Sequence, residues 1–332
     1  MLATRAELRK IGVHCGRFFH TSFKICTKRN LVPERFLNLA EITGLANTPK
    51  RKLEKKHRRT RLETSKISKK EYIYGISPCL TALEANRRKF YTIYFNDEAL
   101  NTKSRPQFKR MKDLSTERNI PTKLVSRKRL DDLSGNRPHQ NIVMKVGNLS
   151  LVPLNYERHS TSVYTDKNRP ELWLILQGIQ DPMNMGAIIR TALFLGVNKV
   201  VSSECDSCAL TPAVSKASAG AMETLPVYTT NIKELLKRKR EEGYDILGTV
   251  GQHFIPQENT SCTIVLSNEM ELEKPSLLLL GNEGKGLSTE IQNLCTKFLT
   301  IPAKRNNNLG ELDSLNVSVA TGIILHSLLL NR

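Results

Sequence analysis

The chain has 332 residues and a formal net charge of +19, with 51 Lys and Arg against 32 Asp and Glu. That length can bury a sizeable core and suits two domains. No run approaches 18 consecutive apolar residues, so the pattern excludes a membrane-spanning helix, and the partner is expected to be no membrane.

Most of the basic excess lies in the first 70 residues. Residues 1–30 hold seven basic residues and one acid, Glu7, with Ser and Thr scattered among apolar positions. Few acids, several Arg and no uninterrupted apolar core predict a mitochondrial transit peptide rather than a secretory signal. Residues 31–70 form a basic arm, and its segment 50–70 carries eleven Lys and Arg against two Glu. Such a run is solvated, and it adds sequence-independent affinity for phosphate backbones. The seven cysteines (Cys15, Cys26, Cys79, Cys205, Cys208, Cys262, Cys295) are odd in number and scattered, the usage of a reducing compartment. Cys205-Asp-Ser-Cys208 is a lone CxxC without a second ligand pair at zinc spacing, so no metal is expected.

Residues 71–147 predict a small α/β domain. A strand at Tyr72–Tyr74 leads through Gly75 and Pro78 to a helix with Leu80 and Leu83 on one side. The strand "FYTIYF", a basic helix over Lys109 to Arg118, "TKLVS" and a closing strand "NIVMKVG" follow. Arg87, Arg88, Lys89, Tyr91, Arg127, Lys128 and Arg129 are read as an exposed basic and aromatic surface suited to RNA. Residues 148–170 are polar and turn-rich, a linker.

From 171 to 332 the texture changes. "ELWLILQGI" is a continuous apolar run, as in a strand buried on both faces. The helix "MGAIIRTALFLG" follows, then "VNKVVSS", "DILGTV", "CTIVLS", "SLLLLG" and "FLTIP", with helices such as "NIKELLKRKREEG" between them. Alternation of this kind predicts a mostly parallel α/β sheet, with ligands beyond the carboxyl ends of its strands. Three polar insertions sit at such ends. In "DPMNMGAIIRTA", Asn184 is placed to cap a helix starting near Met185, and Arg190 lies among apolar neighbours. In "LLLLGNEGKGLS", three glycines permit close approach of backbone to a ligand, and Glu283 is a candidate partner for Arg190. The spacing is not that of a P-loop. In "LDSLNVSVATG", Ser314 and Asn316 stand where helix caps stand.

Taken together and in order, these three segments resemble the signature motifs of the SpoU (TrmH-type) branch of the SPOUT RNA 2′-O-ribose methyltransferases. The segment "YIYGISPCLTALEANRRK" is similar to the start of the substrate-binding domain that precedes the catalytic domain in many members. The resemblance implies a C-terminal trefoil-knotted α/β methyltransferase domain behind a smaller N-terminal α/β substrate-binding domain. It implies S-adenosylmethionine held by backbone around Leu280, Gly281, Asn282, Gly286, Ile301 and Leu315. It carries the family's catalytic positions onto Asn184, Arg190, Glu283, Ser314 and Asn316, in a homodimer whose active site draws on both chains.

With the leader, the resemblance implies 2′-O-methylation of a guanosine in mitochondrial large-subunit rRNA, in the matrix. A tRNA 2′-O-methyltransferase, or a non-catalytic RNA-binding assembly factor on the same scaffold, stands as the alternative. Arg190 is expected to clamp the target's phosphate with Glu283 fixing its side chain, because a guanidinium stays protonated and has no acceptor to serve as a base. The loop over 303–313, with "KRNNN" inside, is longer than in bacterial relatives.

Overall fold

The computed structural model describes residues 70–96, 106–154, 169–252, 254–255, 262–303 and 314–330. The expected leader, the basic arm except Lys70, the middle of the expected linker and most of the 303–313 loop lie outside the described residues.

The small domain is built from β1 (Lys70–Tyr74), α1 (Ile76–Ala85), β2 (Phe90–Phe95), α2 (Pro106–Glu117), β3 (Thr122–Leu124), α3 (Arg127–Ser134) and β4 (Ile142–Gly147). Its sheet runs β1-β4-β2-β3, with β4 antiparallel to both neighbours and β2 parallel to β3. Ile73, Ile93, Ile142 and Met144 line one sheet face and meet Leu83 of α1 and Met111 of α2, all fully buried. This is the order read from the sequence except for α3, which that reading did not include.

The large domain adds β5 (Val152–Pro153), β6 (Leu172–Leu176), α4 (Pro182–Leu195), β7 (Lys199–Ser203), α5 (Pro212–Ala217), α6 (Ala221–Thr224), β8 (Val227–Thr230) and α7 (Ile232–Glu241). It continues with β9 (Asp245–Thr249), β10 (Thr263–Leu266), β11 (Ser276–Leu280), α8 (Thr289–Gln292), β12 (Lys297–Thr300) and α9 (Val317–Leu330). Its eight strands run β10-β12-β9-β11-β6-β7-β8-β5, and every registered pairing is parallel. The central strands are buried on both faces. Leu172, Leu174, Leu176, Leu278 and Leu280 meet α4 and α9 on one side, while Trp173, Ile175, Leu277 and Leu279 meet α7 and α8 on the other. No helix among the described residues is long and apolar enough to cross a membrane.

Two expectations are corrected here. The stretch 148–170 does not begin as a free linker: Leu149 is buried in the large domain's core, and Val152–Pro153 pairs with β8 as an edge strand. Proline is tolerated there because an edge strand leaves one side of its backbone unpaired. Arg88, expected on the surface, is buried with its side chain fully covered.

The reason is a carboxylate on the other domain. Arg88 Nε and NH2 donate to Glu223 Oε2 and Oε1 at 2.6 and 2.9 Å, and NH1 donates to Gly147 O at 2.9 Å and to Glu71. Ser215 Oγ adds a third bond to Glu223 at 2.8 Å. Burial opposes the charge on Arg88, but its hydrogen bonds to Glu223 and Glu71 and their fields outweigh it and hold its pKa above the ordinary value. Arg87 NH1 donates to the carbonyls of Met222 and Glu223, both at 3.1 Å, at the end of the one-turn helix α6. The adjacent arginines thus fasten the small domain onto α5 and α6.

Removing one partner of a buried ion pair leaves an uncompensated charge, which costs about 3–5 kcal/mol. Glu223→Gln is therefore expected to lower stability by that order, with Glu71→Gln milder because Glu71 is partly exposed. Denaturant unfolding checks this, and equal midpoints for Glu223→Gln and the parent would refute it.

Candidate active site

The carboxyl ends of β6 and β11 open the site, tied together by Gln177 N donating to Leu280 O at 2.9 Å. Past β6 the chain turns into α4, whose N-cap is Asp181: its carboxylate accepts from Met183 N and Asn184 N, with Pro182 at the first helical position. The cap expected at Asn184 is thereby corrected. Because Asp181 already satisfies the first orphan N–H groups, the Asn184 amide is released to bond outward. Asp-Pro before an apolar periodic run is the signal that identifies the cap.

The loop after β11 is folded on itself. Asn282 N donates to Gly286 O at 3.1 Å, and Gly286 N donates back to Asn282 O at 2.8 Å. The Asn282 side chain holds both ends: Oδ1 accepts from Gly284 N and Lys285 N at 3.0 and 3.1 Å, and Nδ2 donates to Gly178 O at 2.8 Å. Gly281 packs flat against this turn. A Cβ there would lie 2.5 Å from the Gly286 carbonyl carbon and 2.7 Å from Leu287 N, so no side chain fits. The result is a rigid, backbone-lined wall with Glu283 exposed at its tip.

The third element is the mouth of α9. Asn316 Oδ1 accepts from Ser318 N at 2.9 Å, from Ser318 Oγ at 2.6 Å and from Val319 N at 3.4 Å, an N-cap. Its Nδ2 points the other way and donates to Asn184 Oδ1 at 3.1 Å, while Asn184 Nδ2 donates to Glu283 Oε1 at 2.6 Å. One chain of side chains, Glu283–Asn184–Asn316, therefore joins all three segments. Ser314 and Leu315 are exposed beside it, and Ser314 makes no hydrogen bond to a described residue. Ile301, just past β12, is half-buried against the core.

Arg190 is not part of this chain. It is exposed on α4 and has no partner among the described residues, so the expected Arg190–Glu283 pair is corrected. Six residues of helix carry Arg190 about 9 Å beyond Asn184 and about 120° around the axis. Glu283 serves the nearer residue, Asn184.

Two further groups went unnoticed in the sequence. Gln177 Oε1 and Thr300 Oγ1, at the carboxyl ends of β6 and β12, are two of five buried side-chain polar atoms without a hydrogen-bond partner among the described residues. Buried polar atoms are rarely left so. With the backbone wall at 281–286 they suit a small polar ligand seated at these strand ends. Cys208, nearby in sequence to the β7 end, has its thiol pKa raised by burial and then by Asp181, which disfavours a reactive thiolate.

Gly281→Ala is expected to push the 282–286 turn off the strand end and to speed amide exchange at Asn282 and Gly286 about tenfold or more. Hydrogen-exchange mass spectrometry reads this directly, and parent-like protection would count against the tight-packing account.

Residues 171–326 match the SpoU rRNA Methylase family, and residues 72–151 match the family described as RNA 2′-O ribose methyltransferase substrate binding. The human protein named mitochondrial rRNA methyltransferase 1 is 40% identical over 268 residues, covering 80% of this chain and 74% of its own length. The 23S rRNA (guanosine-2′-O-)-methyltransferase RlmB of Shewanella oneidensis is 29% identical, over 78% of this chain and 96% of its own. Among solved structures, an AdoMet-bound rRNA methyltransferase from Sinorhizobium meliloti superposes with a TM-score of 0.58 at 22% identity, covering 81% of this chain and 89% of that one. The two matched spans and their order agree with the two domains of the structure: the chain belongs to the SpoU rRNA methylase family.

Proposed function

We propose that this protein transfers a methyl group from S-adenosylmethionine to the 2′-hydroxyl of a guanosine in mitochondrial large-subunit rRNA. The observation that carries the reading is the Glu283–Asn184–Asn316 chain, which gathers three separate segments at the carboxyl ends of a parallel sheet. The names of relatives support the substrate: mitochondrial rRNA methyltransferase 1 for the human protein, 23S rRNA (guanosine-2′-O-)-methyltransferase for the bacterial one. The same names, with the basic acid-poor leader over 1–30, support a mitochondrial location.

Leu280, Gly281, Asn282, Gly286, Ile301 and Leu315 would hold the cofactor, with Gln177 Oε1 and Thr300 Oγ1, both unpaired among the described residues, supplying polar contacts. The bound sulfonium supplies an electrophilic methyl group. What the protein must add is alignment of the hydroxyl and acceptance of its proton. Arg190, exposed and without a partner among the described residues, clamps the phosphate next to the target ribose. Asn184 is held by Glu283 and Asn316 in one amide orientation, so it offers a fixed edge to the ribose. Glu283 is a solvent-facing carboxylate suited to take up the proton directly or through water. Ser314 is exposed at the same mouth and makes no hydrogen bond to a described residue, so it can turn toward the substrate.

We further infer a homodimer. Phe194 on α4 is 88% exposed, and Val319 and Ile323, one turn apart on α9, are also exposed. Packed helices with uncovered apolar side chains of this size suit an interface. In the trefoil arrangement proposed for this domain, α9 passes through the loop formed by the preceding strands, and burial of Ile324, Leu325 and Leu328 in the large-domain core is compatible with that.

Arg190→Ala is expected to lower kcat/KM on the rRNA by about 100-fold or more, since it removes a charged contact to the reacting nucleotide. Binding of S-adenosylmethionine should stay as in the parent. Full turnover by this variant, followed by ribose-methylation mapping, would remove Arg190 from the mechanism. Phe194→Asp is expected to shift the protein to monomers at micromolar concentration in sedimentation, and an unchanged sedimentation profile would speak against the α4–α9 interface.

A further inference from the structure

The small domain has a cavity of its own. It measures about 600 Å³, within the range of small-ligand clefts, and is lined by Arg127, Asp131 and the loop residues Asn136, Arg137, Pro138, His139, Gln140 and Asn141. None of these residues belongs to the methyl-transfer site.

Its wall is built with unusual backbone. Asn136, Gln140 and Asn141 have φ of 57°, 54° and 67°, the left-handed region that Asn tolerates and Gln seldom enters. Conformations of this kind persist where the surroundings enforce them, and they cluster at binding sites. The enforcement is visible. His139 is buried, its Nδ1 accepting from Asn141 N and its Nε2 facing Asp131 Oδ1, both at 3.0 Å, so the ring ties this loop to α3. Ser134 Oγ bonds to Asp131 O and Arg137 O. Arg137 NH1 is steadied by Tyr74 OH at 3.1 Å.

Asp131 turns one carboxylate oxygen to His139 and stays partly exposed, and beside it the frame presents two arginines and three side-chain amides. Arg127 has no partner among the described residues, and Arg137 keeps its remaining guanidinium donors. The side-chain amides of Asn136 and Asn141, and Nε2 of Gln140, make no hydrogen bond to a described residue. Guanidinium forks suit phosphate. Side-chain amides offer both donor and acceptor, as a base edge requires and a carboxylate does not. A concave pocket reaches only a base that is out of its helix, because base edges of an RNA duplex lie in grooves that side chains read poorly.

We propose that this cavity takes one unpaired nucleotide of the RNA substrate, with phosphate on Arg127 and Arg137 and the base edge on Asn136, Gln140 and Asn141. The proposal rests on RNA being the substrate. Its link to the reaction is mechanical. Gln140 Oε1 accepts from Lys216 Nζ at 3.0 Å, and Lys216 lies on α5. That helix packs so tightly on α4 that a Cβ at Gly186 would stand 2.5 Å from the Ala217 Cβ. A nucleotide in the cavity is therefore at a fixed offset from Asn184 and Arg190, and it selects which ribose arrives there.

The test uses the full chain and an in-vitro transcript of mitochondrial large-subunit rRNA. Arg127→Ala/Arg137→Ala is expected to raise KM for RNA about tenfold and to flatten the salt dependence of binding by roughly 0.7 in log–log slope per arginine. S-adenosylmethionine affinity and Tm should match the parent. Arg127→Ala alone, which breaks no described contact, carries the test if the double variant unfolds, with half the slope change. Photocrosslinks from 4-thiouridine-substituted transcript should fall on residues 127–141 in the parent and fade in the variant. Parent-like KM and slope in the variants, with an active parent, overturn the cavity proposal alone. A parent that does not methylate the transcript instead overturns the substrate reading. Arginine-dependent binding of a polyglutamate peptide, with RNA binding unaffected, replaces the nucleotide with an acidic protein segment.

Discussion

The hydrogen bonds at Asn184 are the contacts on which the geometry of the proposed site depends. The planar Asn184 amide donates to the Glu283 carboxylate through Nδ2 and accepts from Asn316 through Oδ1 at the same time. An acid in its place would repel Glu283, and an aliphatic residue would leave three loops without a shared partner. The parallel sheet makes the meeting possible, because it delivers the ends of β6, β11 and β12 to the same side of the molecule. Asp181 makes it available, by taking over the capping that Asn184 would otherwise perform.

A similar division of labour appears in Asn316. Its oxygen closes the first turn of α9 while its nitrogen reaches across to α4. Helix capping and site assembly are thus two faces of one planar group, and the orientation of that group is fixed from both sides. The helix dipole and the polar cluster meet at this point, where a cofactor with a charged sulfur would need ordered surroundings.

Much of this was legible in the sequence, and what was missed has a common cause. Continuous apolar runs such as Leu172–Leu176 and Ser276–Leu280 announced buried parallel strands, and both form where expected. The short, half-polar β8 and the one-turn α6 carry too little pattern to be read alone, since their pairing and capping come from distant parts of the chain. Arg88 looked like a surface residue because its carboxylate lies 135 residues away. The five motif positions were named by resemblance, which carries no information on their connections. Opposite charge suggested joining Arg190 to Glu283, whereas helix phase puts Asn184 nearer. Residue identity conveys which chemistry is present, and only geometry conveys who is bonded to whom.

The Arg88–Glu223 pair has a consequence for how the protein responds to ionic strength. Mobile ions screen exposed charges over about 8 Å at physiological salt, yet they have no access to a pair enclosed on every side. Two kinds of electrostatics therefore coexist in one chain. The exposed arginines and the basic N-terminal region lose their grip on a polyanion as salt rises, while the junction between the domains stays as it is. Salt can release the RNA without loosening the frame that measures it, so a product could leave and the next substrate could meet the same unaltered spacing.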